Sequence, residues 1–174
     1  MGRLFERKGV LLLMKCLMVV FSYHHKNTEK IANAMAEVLA TSVQTPSQIV
    51  PGDLQQADLI GLGSGVYSAK HHESVLQLAD ALTPVTAGKA FIFSTTGAPK
   101  IAITDAFVAK NHSLLREKLQ AKGYEIVGEF SCAGFNTNMF LRWFGGLNKG
   151  RPNANDLERA RDFAQDLKQK LGND

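Results

Sequence analysis

Three short polar segments combine hydroxyl, glycine, imidazole and ammonium groups, a set that suits the binding of an anion beside a flat ring. The first segment leads directly into a helix-like stretch and consists of Ser22, Tyr23, His24, His25, Lys26, Asn27 and Thr28. Backbone amides at a helix N-terminus, joined by hydroxyl and cationic side chains, form an anion site, and a phosphate is the group expected there. In the alternative interpretation, this is a polar loop in which Asn27 and Thr28 only cap the helix.

The other two segments supply close backbone approach and polar groups for a ring. The second is glycine-rich and consists of Gly61, Leu62, Gly63, Ser64, Gly65, Val66, Tyr67 and Ser68. Glycine tolerates tight turns beside a ligand, and the Tyr67 ring is either a platform for a flat heteroaromatic or an ordinary rim aromatic. The third segment consists of Ser94, Thr95, Thr96, Gly97 and Ala98. Its hydroxyls and amides are of the kind that hydrogen-bond the polar edge of a ring.

Apolar runs of strand length alternate with amphipathic stretches of helix length, which is typical of βαβ units with a parallel sheet. The predicted strands are residues 15–21, a weak strand near 43–50, then 58–63, 89–94 and 124–133. The predicted helices open at Thr28, cover about 73–82 and 112–121, and end the chain over 155–171 with Asn155 as the N-cap. Together they predict one α/β three-layer sandwich with a five-stranded parallel sheet.

Each polar segment directly follows a predicted strand. In open parallel α/β sheets, ligands bind at the carboxyl ends of the strands, near the point where neighbouring strands connect to helices on opposite faces. None of the three segments is specific alone, but their common placement predicts a single site. A loop rich in aromatics and glycine, residues 134–152, follows the last predicted strand.

Composition limits the class of protein. The chain has 174 residues, of which 45% are hydrophobic and 21% charged, enough for one globular domain with a full core. The formal net charge of +4 is too weak and too dispersed to indicate nucleic-acid binding. Cys16 and Cys132 each lie in a predicted buried strand without a nearby partner, so we expect neither a disulfide framework nor a zinc site. This cysteine usage predicts a cytoplasmic location.

Residues 1–13 are interpreted as an N-terminal extension, with residues 14–174 as the single domain. Basic residues followed by an apolar run give this stretch a superficial likeness to a secretory signal, but Lys15 interrupts it and no small-residue cleavage site follows. Met14 is a candidate for the true initiator. No stretch approaches the roughly 20 apolar residues of a membrane span.

Over residues 14–171 the chain resembles the flavodoxin family. The family's first loop reads Ser/Thr-x-Thr-Gly-x-Thr and grips the phosphate of flavin mononucleotide (FMN); an ungapped match here ends on Asn27 and Thr28. The family's second loop carries an aromatic that stacks on the isoalloxazine, and this aromatic maps onto Tyr67. Its third loop frames the other side of the ring and maps onto residues 94–98. The resemblance therefore implies FMN held between these loops.

This chain departs from the family pattern in its loops and in its charge. Lys26 replaces the usual glycine, and His24 and His25 replace two usual hydroxyl residues, which implies a bulkier and more cationic phosphate site. The position of the family's second stacking aromatic falls near Lys100, which is not aromatic. An aromatic residue of the late loop is therefore a candidate to cover the flavin, unless the aromatics of that loop pack against the body of the fold. These aromatics are Phe135, Phe140, Trp143 and Phe144. Classical flavodoxins are acidic, so the redox partner of this basic chain is expected to present an acidic face.

Other chemistries on similar folds do not match the spacing. A phosphatase loop requires Arg six residues after Cys, but Asn138 stands six residues after Cys132. A response-regulator receiver requires an acidic pocket after the first strand and Asp at the end of the third, where this chain has His24 and Ser64 instead. The glycine-rich segment matches neither the nucleophile elbow nor the dinucleotide fingerprint. His71 and His72 lack carboxylates or cysteines at ligand spacing, so no metal is expected.

Three functional hypotheses follow from these residues. The first is an FMN-binding electron carrier, in which the flavin does the chemistry and no side chain is needed as acid or base. The second is a flavodoxin-like oxidoreductase that acts on NAD(P)H and a quinone, or on protoporphyrinogen, which Arg142, Trp143 and Phe144 suggest only loosely. The third is a non-redox binding module that has lost FMN.

Overall fold

The computed structural model describes residues 14–137, 143 and 145–172. Its described residues include six strands, five α-helices and a short 3-10 turn over Lys100–Ala102. The strands are β1 (Cys16–Phe21), β2 (Val43–Gln44), β3 (Leu59–Tyr67), β4 (Lys70–His71), β5 (Gly88–Thr96) and β6 (Tyr124–Ala133). The helices are α1 (Asn27–Leu39), α2 (Pro51–Leu54), α3 (Glu73–Ala81), α4 (Asp105–Ala121) and α5 (Ala154–Gly172).

Five strands form a parallel sheet in the order β2-β1-β3-β5-β6. One apolar core lies between the sheet and helices α1 and α5, and a second lies between the opposite face and helices α3 and α4. Alternate side chains of each strand enter the two cores: Phe91 and Phe93 pack on the α1/α5 side, and Ile92 on the α3/α4 side. The predicted three-layer sandwich and its five-stranded parallel sheet are confirmed.

The third strand is longer than predicted. The glycine-rich segment was expected to be a turn after residue 63, but β3 continues to Tyr67 and folds back on the short antiparallel strand β4. The reversal occurs at Ser68 and Ala69, which both have positive φ (49° and 63°), as a two-residue hairpin requires. Continuous pairing with β5 through Gly65 and Thr95 holds the whole glycine-rich stretch in extended form.

Two predicted helix starts are wrong. Helix α4 begins at Asp105, seven residues before the predicted start, because the Thr104 hydroxyl accepts a hydrogen bond from the Phe107 amide and caps the helix there. Helix α5 begins at Ala154, so Asn155 is helical and is not the cap. Asn153 caps instead: its Oδ1 accepts from the Asp156 amide, while Asp156 accepts from the Asn153 amide.

The structure also tests the predicted second strand, the cysteines and the membrane-span prediction. Of the weak second strand, only Val43–Gln44 pairs with β1. The extension at residues 1–13 and the aromatics Phe140 and Phe144 lie outside the described residues. Both cysteines lie buried in strands as predicted, and burial raises the pKa of each thiol to about 12. None of the helices within the described ranges is both long and apolar enough to cross a membrane.

Gly61 and Gly63 of β3 make room for the rings of Phe91 and Phe93. A Cβ on Gly63 would overlap the ring of Phe93, which is completely buried. We therefore expect Gly63→Ala to lower the free energy of unfolding by about 2 to 3 kcal/mol, as overpacking of a core does. Urea unfolding followed by circular dichroism measures this loss. Gly52→Ala is the matched control, because a Cβ there meets nothing within 4 Å; equal stability of the two variants would contradict the expectation.

Candidate functional site

A cleft of about 80 Å³ lies at the carboxyl ends of the strands. Four segments line it, one at the carboxyl end of each of β1, β3, β5 and β6. The lining residues are Ser22, Tyr23, His24, Asn27, Thr28, Gly65, Val66, Tyr67, Thr95, Thr96, Gly97, Gly134, Phe135 and Asn136. The parallel sheet thus brings the three predicted polar segments to one place and adds a fourth.

Helix α1 points an uncapped N-terminus at this cleft. Its N-cap residue, Lys26, makes no side-chain capping bond, unlike the caps of α3 and α4. The amides of Thr28 and Glu29 find no acceptor among the residues that the structure describes. His25 and Lys26 both adopt left-handed φ values (53° and 52°), which turns the chain sharply into the helix. Free amides at the positive end of a helix dipole form an anion-binding site.

Two buried side chains form the floor of the cleft. Asn27 is 7% exposed, and its Nδ2 donates to the carbonyl of Phe135 at 2.9 Å. Its Oδ1 is buried without any partner, which leaves an acceptor for a ligand donor. The hydroxyl oxygens of Thr28 and Thr95 lie 2.8 Å apart and connect the first segment to the third.

Asn148 connects the third and fourth segments. Its Nδ2 contacts the carbonyl oxygens of Ala98 (2.9 Å), Gly134 (3.3 Å) and Gly97 (3.5 Å). The fourth segment is also tied to the first, because His25 Nε2 lies 2.9 Å from the Thr137 hydroxyl oxygen. No sequence signal singled out Asn148, since all its acceptors are backbone carbonyls on remote parts of the chain.

Aromatic rings form one wall of the cleft. The Tyr67 ring lies over Gly65, where a Cβ would stand 3.0 Å from the Tyr67 hydroxyl oxygen. The His72 ring contacts Tyr67 edge-on, with ring centroids 5.6 Å apart, and stacks on Phe21 at 3.6 Å. Burial raises the pKa of the Tyr67 hydroxyl, which therefore stays protonated at neutral pH. The wall presents a half-buried tyrosine braced by an imidazole.

Eleven of the fifteen residues predicted for the site line the cleft, and four do not. The ammonium of Lys26 lies 3.3 Å from Glu29, and the His25 ring packs against Phe135 with centroids 4.6 Å apart. Ser64 and Ser94 point into the α3/α4 side of the sheet. Conversely, Gly134 and Asn136 line the cleft but were not among the residues predicted for the site. They too follow a predicted strand, so the rule that ligands bind at strand ends could have found them.

Ser64 and Ser94 belong to a buried row of hydroxyls. Ser64, Ser94 and Ser131 stand opposite one another on β3, β5 and β6, and each is less than 9% exposed. These small side chains leave space for the rings of His71 and His112, whose centroids are 4.9 Å apart. His71 Nδ1 lies 3.0 Å from Ser64 Oγ, and His112 Nε2 lies 2.8 Å from Ser94 Oγ. The row anchors the β3–β4 hairpin that carries Tyr67.

The row ends in an ion pair at the sheet edge. Glu129 accepts hydrogen bonds from Arg116 Nε at 2.6 Å and Nη2 at 2.8 Å, and its Oε2 lies 3.1 Å from His112 Nδ1. Burial opposes ionisation of Glu129, but the hydrogen bonds from His112 and Arg116 outweigh it and hold the pKa at about 2. Burial, reinforced by His112, lowers the pKa of His71 to about 3. His71 is therefore neutral at neutral pH, with Nε2 buried and unpartnered.

Within the described ranges, no group of three or more histidine, cysteine or acidic side chains is placed to hold a metal ion. His71 and His72 are engaged instead with Ser64 and Ser74. The cleft thus offers amides, hydroxyls, an amide oxygen and an aromatic wall, which suit an organic anion that carries a ring.

Comparison with known proteins agrees with this architecture. A family model described as a flavodoxin domain matches residues 18–128. An uncharacterized protein of Methanocaldococcus jannaschii is 43% identical over 154 residues, which cover 88% of this chain and 98% of that protein. The solved structure of oxidised flavodoxin 2 from Bacillus cereus superposes with a TM-score of 0.64 at 20% identity, covering 90% of this chain and 99% of the other.

A more distant solved structure contains the cofactor that the resemblance implies. General stress protein 14 of Treponema denticola, solved in complex with FMN, superposes with a TM-score of 0.55 at 10% identity and covers 90% of this chain and 97% of the other. At such identities the solved structures show a shared fold, while the family match rests on the sequence itself. With its strand order and strand-end cleft, the chain belongs to the flavodoxin domain family.

Proposed function

We propose that this protein is a cytoplasmic redox flavoprotein that transfers electrons through non-covalently bound FMN. The convergence of four strand-end segments on one cleft, with the uncapped N-terminus of α1 at its floor, is the observation that carries the proposal. The family membership and the FMN-bound fold neighbour support it.

The residues of the cleft fit the two ends of FMN. The amides of Thr28 and Glu29 and the hydroxyls of Ser22 and Thr28 would hold the phosphate, because uncapped helix amides favour a dianion. The unpartnered Oδ1 of Asn27 would accept from a hydroxyl of the ribityl chain. Of these residues, Asn27 and Thr28 are buried and are fixed in place by their contacts to Phe135 and Thr95.

The ring of FMN requires a flat apolar wall and polar groups at its edge. The Tyr67 side chain supplies the wall, and the backbone of Thr96 and Gly97 supplies amides and carbonyls at the opposite side of the cleft. When bound, the flavin itself supplies the electron-transfer chemistry. The protein binds it, orients it and limits its contact with water, so no side chain is assigned as a catalytic acid or base.

His25 and Lys26 serve the phosphate chiefly through their backbone in this proposal. Lys26 is held by Glu29, but its left-handed φ sets the direction of the first-turn amides. We expect Lys26→Gly to keep FMN affinity within about threefold, because glycine accepts this φ without strain. Lys26→Ile should weaken FMN about tenfold or more, since a β-branched residue is strained at positive φ.

Fluorescence titration with FMN and with riboflavin measures both variants. Lys30→Ile is the matched control, as it makes the same side-chain change at an exposed position inside α1. Equal loss of FMN in the Gly and Ile variants would contradict the backbone role and make the ammonium charge itself the contact.

The proposed function is tested on the purified full chain. An absorption spectrum of bound flavin, FMN binding at micromolar or lower concentration, and reversible anaerobic reduction are the expected results. Absence of FMN binding would overturn the proposal in favour of a non-redox binding module. Adding NAD(P)H alone separates the remaining classes: a flavin that stays oxidised identifies a carrier with a separate reductase, and a flavin that bleaches identifies an oxidoreductase.

The partner of a carrier is proposed to dock through an acidic face, because the chain has a formal net charge of +4. Electron transfer from such a partner should slow as salt is added, since surface attraction between opposite charges is screened within about 8 to 10 Å at physiological ionic strength.

A further inference from the structure

The His72 ring lies beside the cleft and connects two of the strands that form it. It stacks on the ring of Phe21, with centroids 3.6 Å apart and planes at 10°. It meets the ring of Tyr67 edge-on, with centroids 5.6 Å apart and planes at 75°. Phe21 ends β1, directly before the first cleft segment, and Tyr67 ends β3, which pairs with β1. One imidazole therefore contacts the ends of two neighbouring strands at the cleft.

Three contacts fix this imidazole in place. The backbone amide of His72 donates to Ser64 Oγ at 2.9 Å. The ring Nδ1 accepts from the Ser74 amide at 3.2 Å and lies 2.9 Å from the Ser74 hydroxyl oxygen. Because an amide can only donate, Nδ1 carries no proton, and the ring hydrogen lies on Nε2. Burial lowers the pKa of His72, against a smaller opposing effect of Glu73, which agrees with a neutral ring.

Capping of helix α3 does not by itself explain a histidine at this position. His72 is the N-cap residue of α3, and its Nδ1 accepts the first-turn amide that a side-chain oxygen usually accepts. Asparagine, aspartate or serine would satisfy the same amide with a smaller side chain and without a ring. The ring of His72 therefore has a role other than the cap, and its contacts are with Phe21 and Tyr67.

The Tyr67 side chain stands where a restraint matters. Tyr67 pairs with Lys70 next to the turn of a short hairpin, and the turn residues Ser68 and Ala69 are exposed. The tyrosine itself is half-buried, so part of its ring faces solvent. A side chain that loses rotamer freedom when a ligand binds lowers the affinity for that ligand. The edge-on contact with His72 restrains the ring before any ligand arrives.

We propose that His72 is a positioning residue for the flavin: it holds the Tyr67 ring in the orientation that packs against the isoalloxazine. This inference rests on the proposed function and deepens it, because it assigns a role to a residue outside the cleft lining. The restraint acts on the ring of the flavin and not on its phosphate. FMN and riboflavin are therefore expected to depend on His72 equally.

Two substitutions separate the ring of His72 from its cap. His72→Asn keeps an acceptor for the Ser74 amide and removes the ring. His72→Phe keeps a ring beside Phe21 and Tyr67 and removes the acceptor. We expect the Asn variant to bind both flavins about threefold to tenfold more weakly, the range of one aromatic pair. The Phe variant should bind both flavins within about twofold of the unchanged chain, although the lost cap lowers its urea midpoint.

A double-mutant cycle shows whether the effect acts through Tyr67. Tyr67→Leu removes the ring that His72 is proposed to hold. In that background, His72→Asn should weaken flavin binding by less than about twofold. Fluorescence titration of the full chain with FMN and with riboflavin measures each variant of the cycle. An equal loss with and without the tyrosine would overturn the proposal, and so would a loss confined to FMN.

Tyrosine NMR signals test the restraint without any flavin. The chain has three tyrosines, so their ring signals are resolved in a carbon-labelled sample, and Tyr67→Leu identifies the signal of Tyr67. In the flavin-free chain, His72→Asn should move this signal toward that of Tyr23, which is 74% exposed. His72→Phe should move it much less. An unmoved signal in the Asn variant would overturn the proposal.

These measurements distinguish failure of this inference from failure of the proposed function. If the unchanged chain binds neither flavin, the proposed function fails together with the flavin part of this inference, and the tyrosine signals still decide whether His72 holds Tyr67. If the unchanged chain binds flavin and His72→Asn binds it with the same affinity, the proposed function stands and the role of His72 is wrong.

Discussion

Replacing Asn27 by aspartate is expected to abolish tight FMN binding while leaving riboflavin binding nearly intact. The substitution is isosteric and places a carboxylate at the floor of the cleft, at the N-terminus of α1. Two negative charges about 4 Å apart repel each other by roughly 4 kcal/mol at an effective dielectric constant of about 20. We therefore expect FMN affinity to fall at least about a hundredfold. Riboflavin lacks the phosphate and escapes this repulsion.

Protein stability is expected to fall by about 1 to 3 kcal/mol in this variant, because a carboxylate oxygen replaces Nδ2 and faces the Phe135 carbonyl without a donor. The helix dipole offsets only part of this loss. Asn155→Asp is the matched control, since it introduces the same charge in the first turn of α5, at an exposed position. Titration with both flavins measures the effect. If Asn27→Asp weakened riboflavin as much as FMN, the phosphate would not lie at the N-terminus of α1.

Acid is expected to destabilise the protein from about pH 6.5 downward, through His71. Its pKa is lowered from 6.5 to about 3 by burial and by His112. Below pH 6.5, His71 is therefore protonated in the unfolded chain but still neutral in the folded chain. The stability contributed by neutral His71 is complete above pH 6.5 and is lost as pH falls toward 3, at about 1.4 kcal/mol per pH unit. Between pH 6.5 and 5 this amounts to roughly 2 kcal/mol.

Glu129 steepens the loss at lower pH. Its folded pKa of about 2 lies below the ordinary value of 4.5, so the stability that it contributes above pH 4.5 is lost as pH falls toward 2. The two contributions have the same sign and overlap between about pH 4.5 and pH 3. His112, Glu129 and Ser64 are the groups that face His71 or act on its charge from α4, β6 and β3.

His71→Asn tests this assignment. An Asn amide nitrogen stands near the place of Nδ1 and keeps a partner for Ser64, but it does not titrate. Urea unfolding of the FMN-free protein between about pH 7 and 5 should show a much flatter pH dependence for this variant than for the unchanged chain. His24→Asn, at an exposed position, should leave the slope unaltered. Parallel slopes for His71→Asn and the unchanged chain would contradict the role of His71.

Much of the fold follows from local sequence patterns. The buried runs that form β1 and β6 and the apolar faces of α1 and α5 are spaced as isolated strands and helices require, so their periods can be read without the partner elements. The strand-end rule then predicted most of the cleft, because it depends only on where each strand stops. The predicted start of helix α4 lies too late in the chain. Its N-cap is a single threonine, and the first half of the helix is largely exposed, so it shows little apolar pattern.

The orientation of neighbouring hydroxyls was beyond local patterns. Ser94 and Thr95 are adjacent and chemically alike, yet Thr95 lines the cleft and Ser94 enters the buried row with His112. Successive side chains of a strand point to opposite faces, and the face that receives the ligand depends on which helices cover the sheet. The order of the elements along the chain does not show which helices cover which face of the sheet.

The sequence by itself determined an α/β sheet whose strand ends carry glycines, hydroxyls and a helix entry, since these are properties of short segments. Only the tertiary structure decided that Lys26 pairs with Glu29, that Asn148 joins two strand-end segments, and that His71 is buried beside His112. The contacts of Asn148 with Ala98 and of His71 with His112 join residues 50 and 41 positions apart in the chain, and the pairing of Lys26 depends on a left-handed backbone at a residue that is not glycine. Neither composition nor periodicity encodes the contacts of Asn148 and His71, because these arise when packed layers bring distant segments together.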